Sequence, residues 1–307
     1  MNRSAATALG GIAYIVLTGV FFAALDTTTQ FVAMSVPVFM VLWVRYVSQA
    51  LLSTLLLAPL HGRLLLRTRH PRLQLLRGML LVSSTVLAIF SLKYMPVGEF
   101  TAIVMVTPLA VTVLSATLFK ERIAPLHWLC VVGGFVGTLA IARPGSSGLG
   151  WAALLPMGCM AISSVFQLLS SHLGKTELPA ATHLWSVWTG AIVSTLALPL
   201  TWVAVESTRT WALMLLMGAM GAAGHFSLTL AYQRASAAVL MPYLYVHVGF
   251  AVAGGWLVFA HVPDGWARSG IALVAVCGVG AAMLTRAQHR TASQVPEPSA
   301  WDRRTTP

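Results

Sequence analysis

The run AALDTTTQFVAMSVPVFMVLWVRY, residues 23–46, carries one acid, Asp26, and one base, Arg45, in an otherwise uncharged and mostly apolar stretch. A charge in hydrocarbon costs at least ~2.5 kcal/mol on insertion scales, so such a residue pairs, faces water or does a job. The two stand equally far from the turn at Ser35-Val36. At about 1.5 Å per residue, each lies roughly 14 Å along its helix from that turn, at matching depth. The geometry admits a mutual ion pair, and three readings stay open. The pair fixes two helices against each other; or Asp26 takes a coupling proton or a cationic group, with Arg45 as its counter-charge or as the holder of a substrate carboxylate; or the two side chains face different ways.

Polar and aromatic residues recur at helical spacing further on. Ser163, Gln167 and Ser170, then His225, Thr229 and Tyr232, then Tyr243, His247 and Phe250, each follow an i, i+4, i+7 pattern and share a helix face. Interhelical hydrogen bonding, at about 0.6 kcal/mol per contact, accounts for any one set. Three such faces on separate helices also fit a shared cavity, in which Tyr and His grip a flat or cationic solute by stacking and hydrogen bonds. Lys93 and Glu99 flank a short turn, either as a solvated pair or with Glu99 looking into a cavity mouth. Glu99 opens the helix of Thr101 and Pro108; Pro108 lacks an N–H, which predicts a kink and a freed carbonyl needing an internal partner. The candidate substrate-binding or coupling residues are Asp26, Arg45, Glu99, Gln167, His225, Tyr243 and His247.

Motifs for covalent or phosphate chemistry do not occur. There is no GxxxxGK[ST], HExxH, CxxC or GxSxG, and no pair of intramembrane acids. Cys130, Cys159 and Cys277 have no metal-ligand spacing and read as packing residues. No catalytic residue, cofactor or metal is therefore assigned, and the chain reads as a non-enzyme.

The elements that position these residues follow from composition. Of 307 residues, 57% are hydrophobic and 9% charged, and the mean hydropathy is +0.80. Soluble domains average about 25% charged residues, so the partner of this surface is a lipid bilayer. Ten apolar runs approach the ~20 residues that cross it: 8–33, 37–59, 72–94, 98–119, 126–143, 150–172, 181–205, 211–233, 236–260 and 267–286. With the N-terminus in the cytoplasm, 14 of the 19 Lys and Arg residues fall on the cytoplasmic side and 4 on the other, with Arg45 inside a span. Both termini then face the cytoplasm. The net charge of +11 belongs to these loops, facing an anionic leaflet, and not to a nucleic-acid partner. Residues 287–307 are polar and Pro-rich and read as a disordered cytoplasmic tail.

The segment beginning LKYMPVGEFTAIVMVTPL at residue 92 is echoed by LAYQRASAAVLMPYLYVH at residue 230. Tyr94 aligns with Tyr232, Phe119 with Phe259 and Gly137 with Gly280. Two copies of five spans, an odd number, enter the membrane inverted, a recurrent plan of secondary transporters with a site near the midplane. The fold class is all-α integral membrane: ten transmembrane helices as two inverted five-helix repeats around a central cavity.

The stretches LKYMPVGEFTAIVMVTPL…LFKERIAPLHW…GGFVGTLAIARPG and ASAAVLMPYLYVHVGFAVAGGWLVFAHVPDGWARSGIALV resemble the two EamA domains of drug/metabolite transporters. The resemblance covers residues 8–286 and implies repeats at 8–143 and 150–286, as in a permease of the cell inner membrane. It implies no particular solute. The acid that ends the fourth helix is present as Glu121, but its counterpart after the ninth is His261, and the family's frequent Gln in the ninth helix is His247. The expected function is secondary-active transport of a small organic metabolite by alternating access, as exporter or exchanger. The alternative is a membrane scaffold or sensor without flux, and less so a membrane enzyme. A homodimer is left open.

Overall fold

A computed structural model describes residues 3–119, 125–142, 150–174, 176–200, 202–234 and 243–294. These residues form helices, with no strand among them. In chain order they are α1 (Arg3–Ala33), α2 (Val38–His61), α3 (Pro71–Tyr94), α4 (Val97–Val104), α5 (Thr107–Phe119), α6 (Pro125–Ala142), α7 (Leu154–Leu173), α8 (Pro179–Ala197), α9 (Thr208–Arg234), α10 (Val246–Phe259) and α11 (Gly265–Gln294). Proline sets several starts: Pro71 and Pro179 occupy first-turn positions, where a missing N–H costs nothing.

Among the described residues, five helices are long and apolar enough to cross a membrane: Gly10–Ala33, Val38–Leu66, Pro71–Tyr94, Gly150–Ser170 and Thr208–Ala231. Shorter apolar helices accompany them at Val97–Val111, Trp128–Ile141, Val246–Phe259 and Gly265–Ala281. The chain is thus a multi-pass membrane protein. Large apolar side chains such as Leu55, Leu60, Leu196 and Leu257 lie more than two-thirds exposed, as lipid-facing residues do. Glu121 falls outside the described residues, and so does 295–307 of the tail. The last helix runs to Gln294, beyond residue 286 where the apolar run ends.

The expected kink is a full break. α4 stops at Val104, and α5 starts at Thr107 with Pro108 next to it. Pro108 has no N–H to offer the Val104 carbonyl, and the Thr107 hydroxyl donates to that carbonyl instead, at 2.6 Å.

Two apolar cores hold the bundle. One gathers Ile103, Leu109, Ile141, Val248, Ala251 and Val274, from α4, α5, α6, α10 and α11. The other gathers Leu42, Tyr46, Ile89, Val187, Met214 and Met217, from α2, α3, α8 and α9. α1 and α7 contribute to both, through Ile15 and Leu25 and through Cys159 and Phe166, and so do α3 and α9, whose Leu92 and Ala231 belong to the first core. Close approaches are made at glycines: a methyl on Gly190 would strike the Tyr46 ring, and one on Gly137 would meet the Gly270 carbonyl of α11 at 2.9 Å.

Candidate functional site

A cavity of about 150 Å³ opens at the seam between the two cores. Leu25, Leu81 and Phe166 reach it from one core; Phe100, Met105, Cys159 and Leu244 reach it from the other. Helical spacing explains why each element offers a stripe: Phe22, Leu25 and Asp26 on α1, Leu81, Ser84, Thr85 and Ala88 on α3, and Ser163, Phe166 and Gln167 on α7. The α4–α5 break faces the same space through Thr101, Val104, Met105 and Thr107, so irregular backbone at membrane depth lies where it lines a cavity.

Five of the seven sequence-selected residues meet here: Asp26, Arg45, Gln167, His225 and His247. The ion pair between Asp26 and Arg45 does not form. Asp26 Oδ2 instead lies 3.3 Å from His247 Nε2 of α10, with the two side chains 15% and 6% exposed. The two groups touch without a hydrogen bond, since neither ring nitrogen of His247 has an aligned partner among the described residues. Equal depth fixed how far along the helices the two charges sit but not which way they turn. Arg45 turns toward α9, its Nε 3.8 Å from where a Gly221 side chain would begin, and its Cζ is 5.9 Å from the Tyr46 ring centroid. The Phe22 ring stands between the two histidines, edge-on to His225 at 4.9 Å and tilted against His247 at 6.0 Å.

The other two residues lie elsewhere. Glu99 is buried near the start of α4, its Oε1 3.4 Å from His261 Nε2. That histidine is aimed by the end of α10. Ala260 takes a left-handed conformation, its N–H bonds the Trp256 carbonyl, and the His261 N–H returns to the Gly255 carbonyl. Tyr243 is half-buried and packs against the core of α4, α10 and α11 rather than lining the cavity. The periodic sets divide as well. Ser163 lines the cavity, Thr229 turns its hydroxyl to its own helix at the His225 carbonyl, and Phe250 is exposed.

Arg77, counted above among the loop charges, lies inside α3 and is 8% exposed. Its Nε donates to Ser170 Oγ at 2.7 Å, and its Nη1 donates to the Thr182 carbonyl at 3.0 Å and to the Ser186 hydroxyl. Its guanidinium sits 4.6 Å from the centroid of Phe166, a cavity wall. The start of α3 at Pro71 was the available signal, since it places Arg77 almost two turns into the helix. Gln49, one turn beyond Arg45, was also missed; it is fully buried.

The ends of the bundle are tied separately. At the end where α2 meets α3, Glu177 Oε1 accepts from the Thr68 hydroxyl at 2.9 Å and from the Arg69 and His70 N–H groups at 2.8 and 3.2 Å. At the other end, beside the Glu99–His261 pair, Gln30 donates to the Met95 carbonyl and accepts from the Val97 N–H.

A riboflavin transporter of Rhizobium johnstonii is 33% identical over 271 residues, covering 87% of this chain and 89% of that protein. The pattern of the EamA-like transporter family matches residues 9–143. The chain belongs to the EamA-like transporter family. A riboflavin transporter of Vibrio cholerae is 27% identical over 270 residues, covering 87% of this chain and 90% of that protein. A solved crystal structure with 18% identity superposes with a TM-score of 0.67 over 92% of this chain and 99% of its own, which shows a shared fold. Membership in this family makes the chain a membrane transporter of a small metabolite and not an enzyme.

Proposed function

We propose that the chain is a ten-span carrier built of two inverted five-helix repeats, 8–143 and 150–286, which moves a flat heteroaromatic solute of the flavin type by alternating access. The observation that carries the proposal is the seam cavity, where aromatic walls stand beside Asp26, His247, Arg45 and Gln167. Rings supply stacking for a flat solute, and the polar groups supply the few directed contacts that orient it. The names of the two relatives point to the same solute class.

Among the described residues, counting α4 and α5 as one broken span gives ten helices, and their pairing is what two copies related by a two-fold axis would leave. α1 packs on α9 as α7 packs on α3; α2 packs on α9 as α8 packs on α3; and α2–α8, α4–α10 and α6–α11 each pair a helix with its own counterpart. The balance of Lys and Arg supports cytoplasmic termini in an inner membrane. At about 150 Å³ the cavity is below the ~300 Å³ of ordinary ligand pockets, so a flavin enters only as the two cores part. In that cycle Asp26 and His247 separate, and the solute or a proton replaces the lost contact.

Counterflow in proteoliposomes tests the reading. Preloaded unlabelled riboflavin should draw in labelled riboflavin, and Asp26→Asn should slow this at least about tenfold. No exchange with riboflavin, but exchange with an aromatic carboxylate, would shift the solute class to one held by the Arg45 guanidinium, which lines the cavity with no carboxylate within 4.0 Å among the described residues.

A further inference from the structure

Arg45 and Gln49 sit one helical turn apart on the face of α2 that meets α9. Their head groups converge at Gly221: a methyl there would lie 3.0 Å from Gln49 Oε1 and 3.8 Å from Arg45 Nε. Arg45 is 6% and Gln49 0% exposed. Arg45 Nε, Gln49 Oε1 and Gln49 Nε2 are all buried without a hydrogen-bond partner. A buried polar group left unsatisfied is costly, so three together mark a place that something polar fills. Arg45 also lines the cavity, which puts this set beside the solute path.

The chemistry of the set is specific. Arg45 Nε–H donates, Gln49 Oε1 accepts and Gln49 Nε2–H donates. A carboxylate would satisfy both donors but press a negative oxygen on the amide oxygen. A ligand edge that reads acceptor, donor, acceptor satisfies all three, and that is the edge of a cyclic imide, C=O, N–H, C=O. The isoalloxazine ring of riboflavin carries one such edge. Exchanging the amide oxygen and nitrogen of Gln49 keeps one donor and one acceptor, so the demand for a ligand N–H stands either way.

We propose that Arg45 and Gln49 form the subsite that recognises the imide edge of the solute, with Gly221 kept side-chain-free so that both head groups fit against α9. This rests on the flavin-type reading above and adds to it a recognition rule: the solute must present an unsubstituted imide N–H.

The test is equilibrium binding to the purified full-length protein in detergent. The probes are riboflavin, the smaller imide lumazine and the N3-methyl form of each. For the wild type, N3-methylation should weaken binding about tenfold or more, since it removes one hydrogen bond and sets a methyl against Oε1. Gln49→Leu should bind each parent compound about tenfold more weakly and no longer distinguish it from its methyl form. If wild-type protein binds methylated and parent compounds alike, the three atoms hold only water and the subsite is overturned while the flavin reading survives. If riboflavin fails but lumazine binds with discrimination at N3, the flavin reading falls and the subsite stands. If no imide binds, both fall. The wild-type comparison decides the matter even should Gln49→Leu not fold.

Discussion

Asp26 shares its cavity with three basic side chains, Arg45, His225 and His247, and contacts His247. That choice has a physical consequence. Arg45 carries a fixed charge, whereas the His247 ring has no hydrogen bond of its own, so the contact with Asp26 can be released without breaking another bond. Asp26→Asn removes the one acid that lines the cavity among the described residues, and the variant should insert normally yet lose about tenfold or more in counterflow. His247→Gln keeps a hydrogen-bonding side chain but cannot change charge. Its exchange should persist at a rate about tenfold below the wild type's; exchange at the wild-type rate would remove the contact from the transport cycle. The residues themselves were legible, because polar side chains stand out in apolar spans and helical spacing aligns them, and five of seven chosen that way line one cavity. Their partners were not. Depth along a helix is readable from residue number, but azimuth is set by packing against helices distant in sequence, which is how α10 claimed Asp26 and α9 claimed Arg45. Arg77 escaped for a related reason: proximity to a run of loop arginines outweighed its place inside α3.

At the level of elements, three local devices hold the site in shape, and each makes a measurable claim. The α4–α5 break was foreshadowed by Pro108, yet its repair depends on Thr107. Thr107→Val should leave the Val104 carbonyl unpartnered beside the cavity and cost about 1–3 kcal/mol, read as a lower melting temperature in detergent. Gly190 lets α8 lie against the Tyr46 ring, whose hydroxyl is pinned at 2.9 Å to Thr85 Oγ1, so the ring has no room to retreat. Gly190→Ala should therefore destabilise by about 1–3 kcal/mol through overpacking. Ala260 runs the other way. Its φ of 53° is a conformation in which an ordinary residue costs roughly 1–2 kcal/mol, so Ala260→Gly should raise the melting temperature while His261 stays aimed at Glu99.

Across the whole molecule, the two apolar cores do not coincide with the two proposed repeats: each draws helices from both halves of the chain. Interleaving of this kind leaves two bodies with a cavity between them, and α1, α3, α7 and α9 join both bodies. The cavity can then be exposed at either end by tilting one body on the other, provided the polar ties at that end release. Those ties differ in kind. Glu177 accepts three hydrogen bonds from the segment at 68–70, whereas the opposite end carries the Glu99–His261 contact and the two Gln30 hydrogen bonds. The Glu99–His261 contact is part-exposed at His261, where water weakens it, so it is a tie that can release. A Glu99→Cys, His261→Cys double variant bridged by a short bifunctional thiol reagent joins α4 to the segment after α10 and fixes that end shut. Counterflow should stop on bridging and return on reduction, while substrate added from the Glu177 end should still bind the bridged protein. Exchange that continued at the wild-type rate with the bridge in place would mean that the Glu99 end does not open during transport, and that the two cores do not move against each other there.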